Sequence, residues 1–309
     1  MSDTLSVKDL LILVDGQNFI SHIRKLFREE FDEEDYLPRN AQWSLLFRSI
    51  KKMLGAENVQ IYWYTIKSLD YSPHVDWSQE DLEEFSDEHF HTWRNYLIRN
   101  HASELKERRR PVTPAEWEFL EAKDSDERKE AVERWRKNCQ VNHTIMEERL
   151  EEWHQLQDEI VEQYPKVQIE RIGWQFCKLV NRKLGPEKGV DIGLASDLIL
   201  KEDEYDTALI FSSDGDYVPA IAAMQGKGKR IGHVEFLFRT GEPLRGTSRH
   251  LSAVCDFTLE IPWPELKTFL GMPDHPVEKR RNERRAREKR EKERRYRDHN
   301  KTRAGKKTR

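Results

Sequence analysis

The chain has 309 residues, of which 37% are hydrophobic and 36% are charged. This length allows one large domain or two small ones, but the charged fraction is too high for the whole chain to form one compact core. No apolar run approaches the roughly 20 residues of a membrane span, and the N-terminus lacks the basic start and apolar core of a secretory signal. Three cysteines, Cys139, Cys177 and Cys255, lie far apart without a CxxC pair, which predicts reduced thiols in a cytoplasmic protein without a zinc site.

Charge is distributed unevenly along the chain. Residues 276–309 contain 17 Lys and Arg against 6 Asp and Glu, a net charge of +11, which leaves −15 on the remainder of a chain whose net charge is −4. The sequence therefore describes an acidic body with a basic tail. The tail has almost no apolar residue, so we predict that it is disordered or partly helical. Its role is either to keep the protein soluble or to bind a phosphate backbone.

Apolar runs and helical spacing alternate along much of the chain. In chain order they predict a strand at Leu10–Val14, a helix at Trp43–Leu54, strands at Val59–Thr65 and Val167–Ile172, a helix at Ile192–Leu200, a strand at Thr207–Phe211, a helix at Tyr217–Gln225 and a strand at Lys229–Phe236. Strands that alternate with helices are typical of a parallel sheet. The expected fold class is therefore α/β, a three-layer sandwich with a mostly parallel sheet.

Residues 70–165 break this alternation, because they are rich in Glu, Arg and Trp and poor in Gly. Trp117, Trp135 and Trp153 are each 18 residues apart, or five helical turns, so a continuous helix would align them. We predict a mostly helical insertion in which these tryptophans form a packing face rather than a platform for stacked bases. The insertion is also the candidate surface for a protein partner.

Aspartates follow two of the predicted strands and precede one predicted helix. In chain order they are Asp15, Asp191, Asp214 and Asp216. Each of them, taken alone, could be only a turn residue or a helix cap. Taken together they place several carboxylates at the carboxyl edge of one sheet, where α/β proteins bind ligands.

Carboxylates packed closely repel one another unless a cation lies between them. Oxygen ligands with few nitrogens or thiolates suit Mg²⁺ or Mn²⁺. Such a site aligns a phosphate, lowers the pKa of a bound water and stabilises the leaving oxygen. The pattern therefore predicts the hydrolysis of phosphodiester bonds.

Other polar residues near these acids are weaker candidates. Asn18 could hydrogen-bond a phosphate or a metal-bound water, or could only cap a helix. Lys188 could contact phosphate or could be an ordinary exposed lysine, and Ser212 and Ser213 could position the phosphate. Asp197 lies six residues after Asp191 and about 120° around the helix from it, so we expect a structural role for it.

Three segments of the chain combine these acids with apolar strands and helices. They are LILVDGQNF, KGVDIGLASDLIL and ALIFSSDGDYVPAIAAMQGKGKRIGHVEF. As a set they resemble the signature segments of the NYN family, the LabA-like branch of the PIN-like nucleases. The later segment SRHLSAVCDFTLEI is similar to the closing helix and strand of the family. The resemblance extends over residues 8–69 and 166–262, which we expect to form the nuclease domain.

The resemblance implies a PIN-like Rossmannoid sandwich and a metal-dependent ribonuclease. It implies that Asp15, Asp191 and Asp214 hold the metal, with Asp216 beside them, and it matches Asn18 to the asparagine of the family. The insertion and the basic tail lie outside the common pattern. The acid that many PIN nucleases carry on a helix near the first strand has no obvious counterpart here.

The sequence is thus interpreted as a cytoplasmic endoribonuclease that uses Mg²⁺ or Mn²⁺ to activate water for an in-line attack on RNA, with DNA left open as a substrate. A second hypothesis is a non-catalytic RNA-binding or scaffold protein that keeps the fold. A third is a phosphatase or nucleotide hydrolase, although VDGQN lacks the second aspartate of an aspartyl-phosphate route.

Overall fold

The structure is a computed structural model that describes residues 7–31, 43–72, 125–238, 240–243 and 249–269. The strands are β1 Asp9–Asp15, β2 Asn58–Thr65, β3 Ser68–Ser72, β4 Val167–Arg171, β5 Trp174–Lys178, β6 Lys183–Lys188, β7 Thr207–Phe211, β8 Arg230–Leu237 and β9 Phe257–Pro262. The α-helices are α1 Gly16–Phe31, α2 Trp43–Met53, α3 Ser125–Gln163, α4 Val190–Leu200, α5 Val218–Gly226, α6 Arg249–Val254 and α7 Trp263–Phe269, and the 3₁₀ turns are Glu202–Glu204 and Gly215–Tyr217.

A six-stranded sheet in the order β4-β2-β1-β7-β8-β9 lies at the centre of the fold, with helices flanking it. The pairs β1–β7, β7–β8 and β8–β9 are parallel. The side chains of β1 from Leu10 onward and all of those of β7 are buried, which is why both strands are continuous apolar runs in the sequence. The predicted α/β class with a mostly parallel sheet is confirmed.

An aromatic cluster holds α1 against this sheet. The ring of Phe19 is 5.2 Å from the ring of Trp63 on β2, 5.7 Å from that of Phe211 on β7 and 5.8 Å from that of Phe236 on β8. Trp43 at the start of α2 joins the same cluster, 5.7 Å from Phe19. Since one residue of α1 touches three strands, this packing determines where the first turn of α1 lies against the sheet edge.

The observed elements differ from the predicted ones mainly near residue 217. The helix predicted at Tyr217–Gln225 is divided into the 3₁₀ turn Gly215–Tyr217 and the helix α5. The other predicted strands and helices are found within one or two residues of their expected bounds.

A second sheet of three strands, in the order β3-β5-β6, was not expected from the sequence. Its strand β3 covers the start of the predicted insertion, residues 70–165, so that part is not helical. Residues 125–163 are helical as predicted, and Trp135 lies in a buried cluster, as a packing face requires. Trp117, residues 73–124 and the tail 276–309 lie outside the described residues.

Two compact units can be separated among the described residues. The first contains those up to residue 63, those of 160–168 and those from 194 onward, and it holds most of the six-stranded sheet. The second contains those within 64–159 and 169–193, with the three-stranded sheet and most of α3. The predicted domain bounds, 8–69 with 166–262, stay a prediction. No described helix combines the length and the apolar character that a membrane span needs.

Substitution of Gly173, just before β5, tests how tightly the backbone of the second unit is packed. Its φ is +68°, and a Cβ atom there would lie 2.0 Å from the backbone oxygen of Lys188. We expect Gly173→Ala to lower the free energy of unfolding by more than about 1 kcal/mol, because alanine is strained at this φ and the backbone of β6 must move. Urea unfolding followed by circular dichroism measures this.

The matched control is Gly226→Ala at the end of α5, where a Cβ atom would meet nothing within 4 Å and no positive φ is required. We expect this control to leave the unfolding midpoint unchanged or slightly raised, since alanine favours a helix over glycine. Equal midpoints for the two variants would contradict the account of Gly173.

Candidate active site

The site lies where β1 and β7 end side by side. Their parallel register runs from Leu10 opposite Thr207 to Val14 opposite Phe211. The next residues along the two strands are Asp15 and Ser212, and their side chains meet across the strand pair. The sequence prediction that Asp15 and the SSDGD segment share one sheet edge is therefore what the register shows.

Asp15 is a buried carboxylate, with 4% of its surface exposed. Its Oδ1 accepts a hydrogen bond from the backbone N–H of Asn18 at 2.9 Å. Its Oδ2 accepts from the hydroxyl of Ser212 at 2.9 Å and from that of Tyr217 at 3.3 Å. A buried charge needs such donors, because an unpaired carboxylate in a protein interior is strongly unfavourable.

These bonds decide which residue caps α1. Asp15 immediately precedes the helix and accepts from the N–H of its third residue, the usual geometry of an N-cap. Asn18, which the sequence left open as a cap, therefore lies inside the first turn. One oxygen of Asp15 therefore caps α1, and the other accepts from two residues that follow β7. Its role in a binding site stays a prediction.

Asp214 and Asp216 lie in the turn after β7. Asp214 is the N-cap of the 3₁₀ turn Gly215–Tyr217, and its Oδ1 accepts from the backbone N–H of Asp216 at 3.0 Å. The backbone N–H of Asp214 donates to the Ser212 hydroxyl at 3.1 Å. Ser212 therefore links the backbone of Asp214 to the carboxylate of Asp15. The sequence had offered Asp216 as a cap, and the structure gives that role to Asp214.

A second network joins α1 to the same turn. Oδ1 of Asn18 accepts from both the backbone N–H and the hydroxyl of Ser213, each at 3.2 Å. Nε2 of His22 is 3.1 Å from the same hydroxyl. Because a backbone N–H can only donate, the oxygen of the Asn18 amide must face Ser213. The NH₂ group of Asn18 is thus the part that remains for a ligand, and it can only donate.

His22 and Tyr217 are the residues that the sequence reasoning missed. His22 lies four residues after Asn18, on the same face of a helix, and this spacing was a readable signal. Tyr217 follows directly on the SSDGD segment, but no spacing indicates that its hydroxyl returns to Asp15. Both contacts depend on tertiary packing.

Burial lowers the pKa of His22 to about 4, and the positive charge of Lys25 lowers it further in the same direction. The ring is therefore neutral at neutral pH. It lies against Phe236, with ring centroids 6.2 Å apart. Because the Ser213 hydroxyl donates its only proton to Asn18, the neutral ring of His22 donates its Nε2–H to that hydroxyl.

Six of the predicted residues lie together at this edge. Asp15, Asn18, Ser212, Ser213, Asp214 and Asp216 are joined by the contacts above. Asp191 lies in the first turn of α4, and Lys188 at the end of β6, and both belong to the second compact unit. Their part in the site stays a prediction. Asp197 is 3.9 Å from the ammonium of Lys201, and its structural role stays a prediction.

The donor atoms fit the chemistry of Mg²⁺ or Mn²⁺. Carboxylate oxygens are the ligands that these ions prefer, and Mg²⁺ is commonly held by one or two carboxylates together with waters and substrate phosphates. Within the described residues no group of three or more His, Cys, Asp or Glu is arranged to hold a metal ion. An ion held by Asp15 and Asp214 would therefore need waters or substrate phosphates as its other ligands.

Of the comparisons with known proteins, the one with family models agrees with the expected family. The NYN domain model matches residues 127–261, which confirms the resemblance and indicates a nuclease-like function related to RNA. The match begins within α3, so β1 and Asp15 lie outside it. No curated protein matches the sequence. A solved structure, a Vibrio parahaemolyticus protein of unknown function, is 15% identical with a TM-score of 0.35, over 84% of this chain and 96% of that one.

The lowered pKa of His22 predicts a pH dependence of stability. Between about pH 6.5 and pH 4 the unfolded histidine binds a proton that the folded one does not, so the free energy of unfolding falls as the pH falls through this range. The loss amounts to at most about 3 kcal/mol. We expect His22→Gln, which keeps a polar amide but cannot titrate, to lose less stability on acidification. Urea unfolding of both proteins from pH 7.5 to pH 4 measures the difference.

His233 is also buried with a lowered pKa, but it is common to both proteins and cancels in the comparison. If the two proteins lost equal stability between pH 7 and pH 4, His22 would not be buried as described.

Proposed function

We propose, from the premise that residues 127–261 match a NYN domain, that this protein is a metal-dependent ribonuclease acting at the edge formed by β1 and β7. The observation that supports this most is the joining of Asp15 to the Asp214 turn through the Ser212 hydroxyl. Two acids from distant parts of the chain are thereby brought to the carboxyl ends of neighbouring parallel strands, where α/β enzymes bind their ligands.

Each residue at the edge has a separate role in the proposal. Asp15 and Asp214 would hold Mg²⁺ or Mn²⁺, which supplies a Lewis acid and a water of lowered pKa when bound. The family resemblance adds Asp191 as a further carboxylate. Asp216 lies beside Asp214 and adds negative charge to the turn.

Asn18 would bind the substrate rather than the metal. Its amide oxygen is occupied by Ser213, so its NH₂ group faces an acceptor such as a phosphate oxygen. The neutral ring of His22 supports the Ser213 hydroxyl and adds no positive charge there. The donor at this position is therefore a neutral amide held in one orientation, which suits the positioning of a phosphate next to carboxylates.

The proposal is tested by cleavage of a labelled single-stranded RNA. We expect the wild type to cleave with Mn²⁺ or Mg²⁺ and not with EDTA. Asp214→Asn should lower the rate by roughly a hundredfold or more, since even the partners of metal ligands are worth ten- to a hundredfold. Asp15→Asn and Asp191→Asn test the other two carboxylates, and matched single- and double-stranded DNA test the substrate class.

The matched control is Asp203→Asn, which removes the same charge from an exposed position in the 3₁₀ turn Glu202–Glu204. It should cleave as the wild type does. Cleavage by Asp214→Asn at the rate of this control would place the chemistry elsewhere or show a contaminant. Binding of RNA without cleavage under any metal would favour the non-catalytic alternative.

The basic tail has a role in this proposal because the rest of the chain is acidic. A net charge of −15 repels RNA, whereas the +11 of residues 276–309 attracts it. We expect removal of residues 274–309 to weaken RNA binding and to flatten its dependence on salt, because fewer counterions are released. Fluorescence anisotropy at several salt concentrations measures both quantities.

A full-length control with Gln in place of the 17 basic tail residues separates charge from length. It should bind as weakly as the truncated chain. An affinity and a salt slope that were unchanged in both variants would exclude the tail as an RNA-binding segment.

A further inference from the structure

The three-stranded sheet of the second unit has two different faces. On its inner face, Cys177 of β5 belongs to a buried cluster with Trp135 and Cys139 of α3, and the half-buried Leu69 and Tyr71 of β3 pack against that cluster. The packing against α3 explains why the inner face of the sheet is buried. Because side chains alternate along a strand, the residues between these must point to the other face.

That outer face carries aromatic and basic side chains from β5. Trp174, Phe176 and Lys178 alternate with the buried Gln175 and Cys177. Trp174 is 40% exposed, which is unusual for so large an apolar side chain. Successive residues of this face are about 6.5 Å apart along the strand.

Strand β6 adds lysines to the same face. The antiparallel register places Lys188 opposite Trp174 and Lys183 opposite Lys178. Lys183 and Lys188 are exposed and Lys178 is half-buried. None of these three lysines forms an ion pair with another residue in the described part of the chain.

Between Lys188 and the pair formed by Lys178 and Lys183, the ring of Phe176 lies over the backbone of β6. A Cβ atom at Gly185 would be 3.1 Å from the ring, so glycine provides the space in which the ring lies. The register shifts at this point, between Gln175 and Cys177. The parallel register with β3 adds Ser68 beside Trp174 and one acid, Asp70, beside Phe176.

This arrangement suits a single-stranded nucleic acid better than an apolar partner. Bases stack on exposed aromatic rings whatever their sequence, and lysines alternating with those rings neutralise the phosphates. RNA-binding sheets in general use aromatic residues on an open sheet face in this way. An apolar protein partner would instead have to bury three unpaired ammonium groups.

We propose that the outer face of the β3-β5-β6 sheet binds single-stranded RNA, with a base stacked on Trp174 and the backbone phosphates beside Lys188, Lys183 and Lys178. The choice of RNA rests on the proposed ribonuclease function. The face itself lies wholly within the second compact unit. This outer face supplies affinity in two ways. The lysines attract phosphates, and stacking on Trp174 adds affinity that salt does not screen.

The test is fluorescence anisotropy of a labelled single-stranded RNA, measured in EDTA so that no metal-dependent cleavage occurs. We expect Trp174→Leu, which keeps an apolar side chain but cannot stack, to bind roughly tenfold to a hundredfold more weakly. Trp174→Phe, which can still stack, should bind within a few-fold of the wild type. Thermal unfolding of each variant confirms that it is folded.

Lys188→Gln is compared with Lys52→Gln, which removes the same charge from an exposed position on α2. Lys188→Gln should reduce the slope of log affinity against log salt by about 0.7, the value for one phosphate contact on a single strand. Lys52→Gln should leave the slope unchanged. If Trp174→Leu lost as much affinity for single-stranded DNA as it loses for RNA, this would also support the stacking surface.

The proposal would be overturned if Trp174→Leu and Lys188→Gln both bound RNA with the affinity and the salt slope of the wild type. The proposal would also be overturned if a poly-glutamate peptide competed with RNA and bound as tightly, since the face would then recognise acidic peptides. The binding test is independent of the cleavage test. If Asp214→Asn still cleaved RNA while Trp174→Leu bound it weakly, the proposed catalytic residues would be wrong and the proposed binding surface would be supported.

Discussion

The pairing of β1 with β7 is the interaction on which the rest of the structure depends, because it determines whether the buried carboxylate of Asp15 is satisfied. Two of its donors, Ser212 and Tyr217, come from about two hundred residues later in the chain. They reach Asp15 only in the observed register, since a slip by one residue would turn the side chains of the strand to the opposite face. An apolar residue at position 15 would remove this requirement, so the acid itself selects the register. The same residue then caps α1, and the ring of Phe19 in that helix packs against β2, β7 and β8.

The sequence predicted the large sheet well because its strands are short, continuous apolar runs that end in turn residues. It also predicted that Asp15 and Asp214 share an edge, since parallel strands place their carboxyl ends together. The small sheet was missed because WQFCK and KLGPEK carry mixed polar residues, a proline and a bulge, and because the packing of Cys177 with residues of α3 is a tertiary contact. The spacing of Asn18 and His22 indicated a shared helix face, but the contacts of His22 and Tyr217 could not be predicted, since each joins elements that are distant in sequence.

Helix capping and cation binding would compete for the same oxygens of Asp15. A carboxylate offers about four lone-pair positions, and at least three of them are occupied by donors. An ion at this edge would therefore be held by Asp15 through one oxygen at most, with the remaining ligands coming from Asp214, water and substrate. The first turn of α1 offsets part of this restriction, because the partial positive charge of a helix N-terminus stabilises a nearby anion. The carboxylate is thus held in place before any ligand arrives.

An edge lined with aspartates repels the phosphates of the substrate that the proposed reaction requires. Neutral donors such as the Asn18 amide reduce this repulsion locally, and a divalent cation would reverse it, but neither provides affinity for a long polymer. Affinity has to come from surfaces where carboxylates are few. The basic tail provides charge, which attracts RNA over a distance but weakens as salt screens it. An exposed tryptophan among unpaired lysines provides stacking, which acts only on contact and withstands salt. Under the proposed function, the charges of this chain are divided so that binding and chemistry take place on different surfaces.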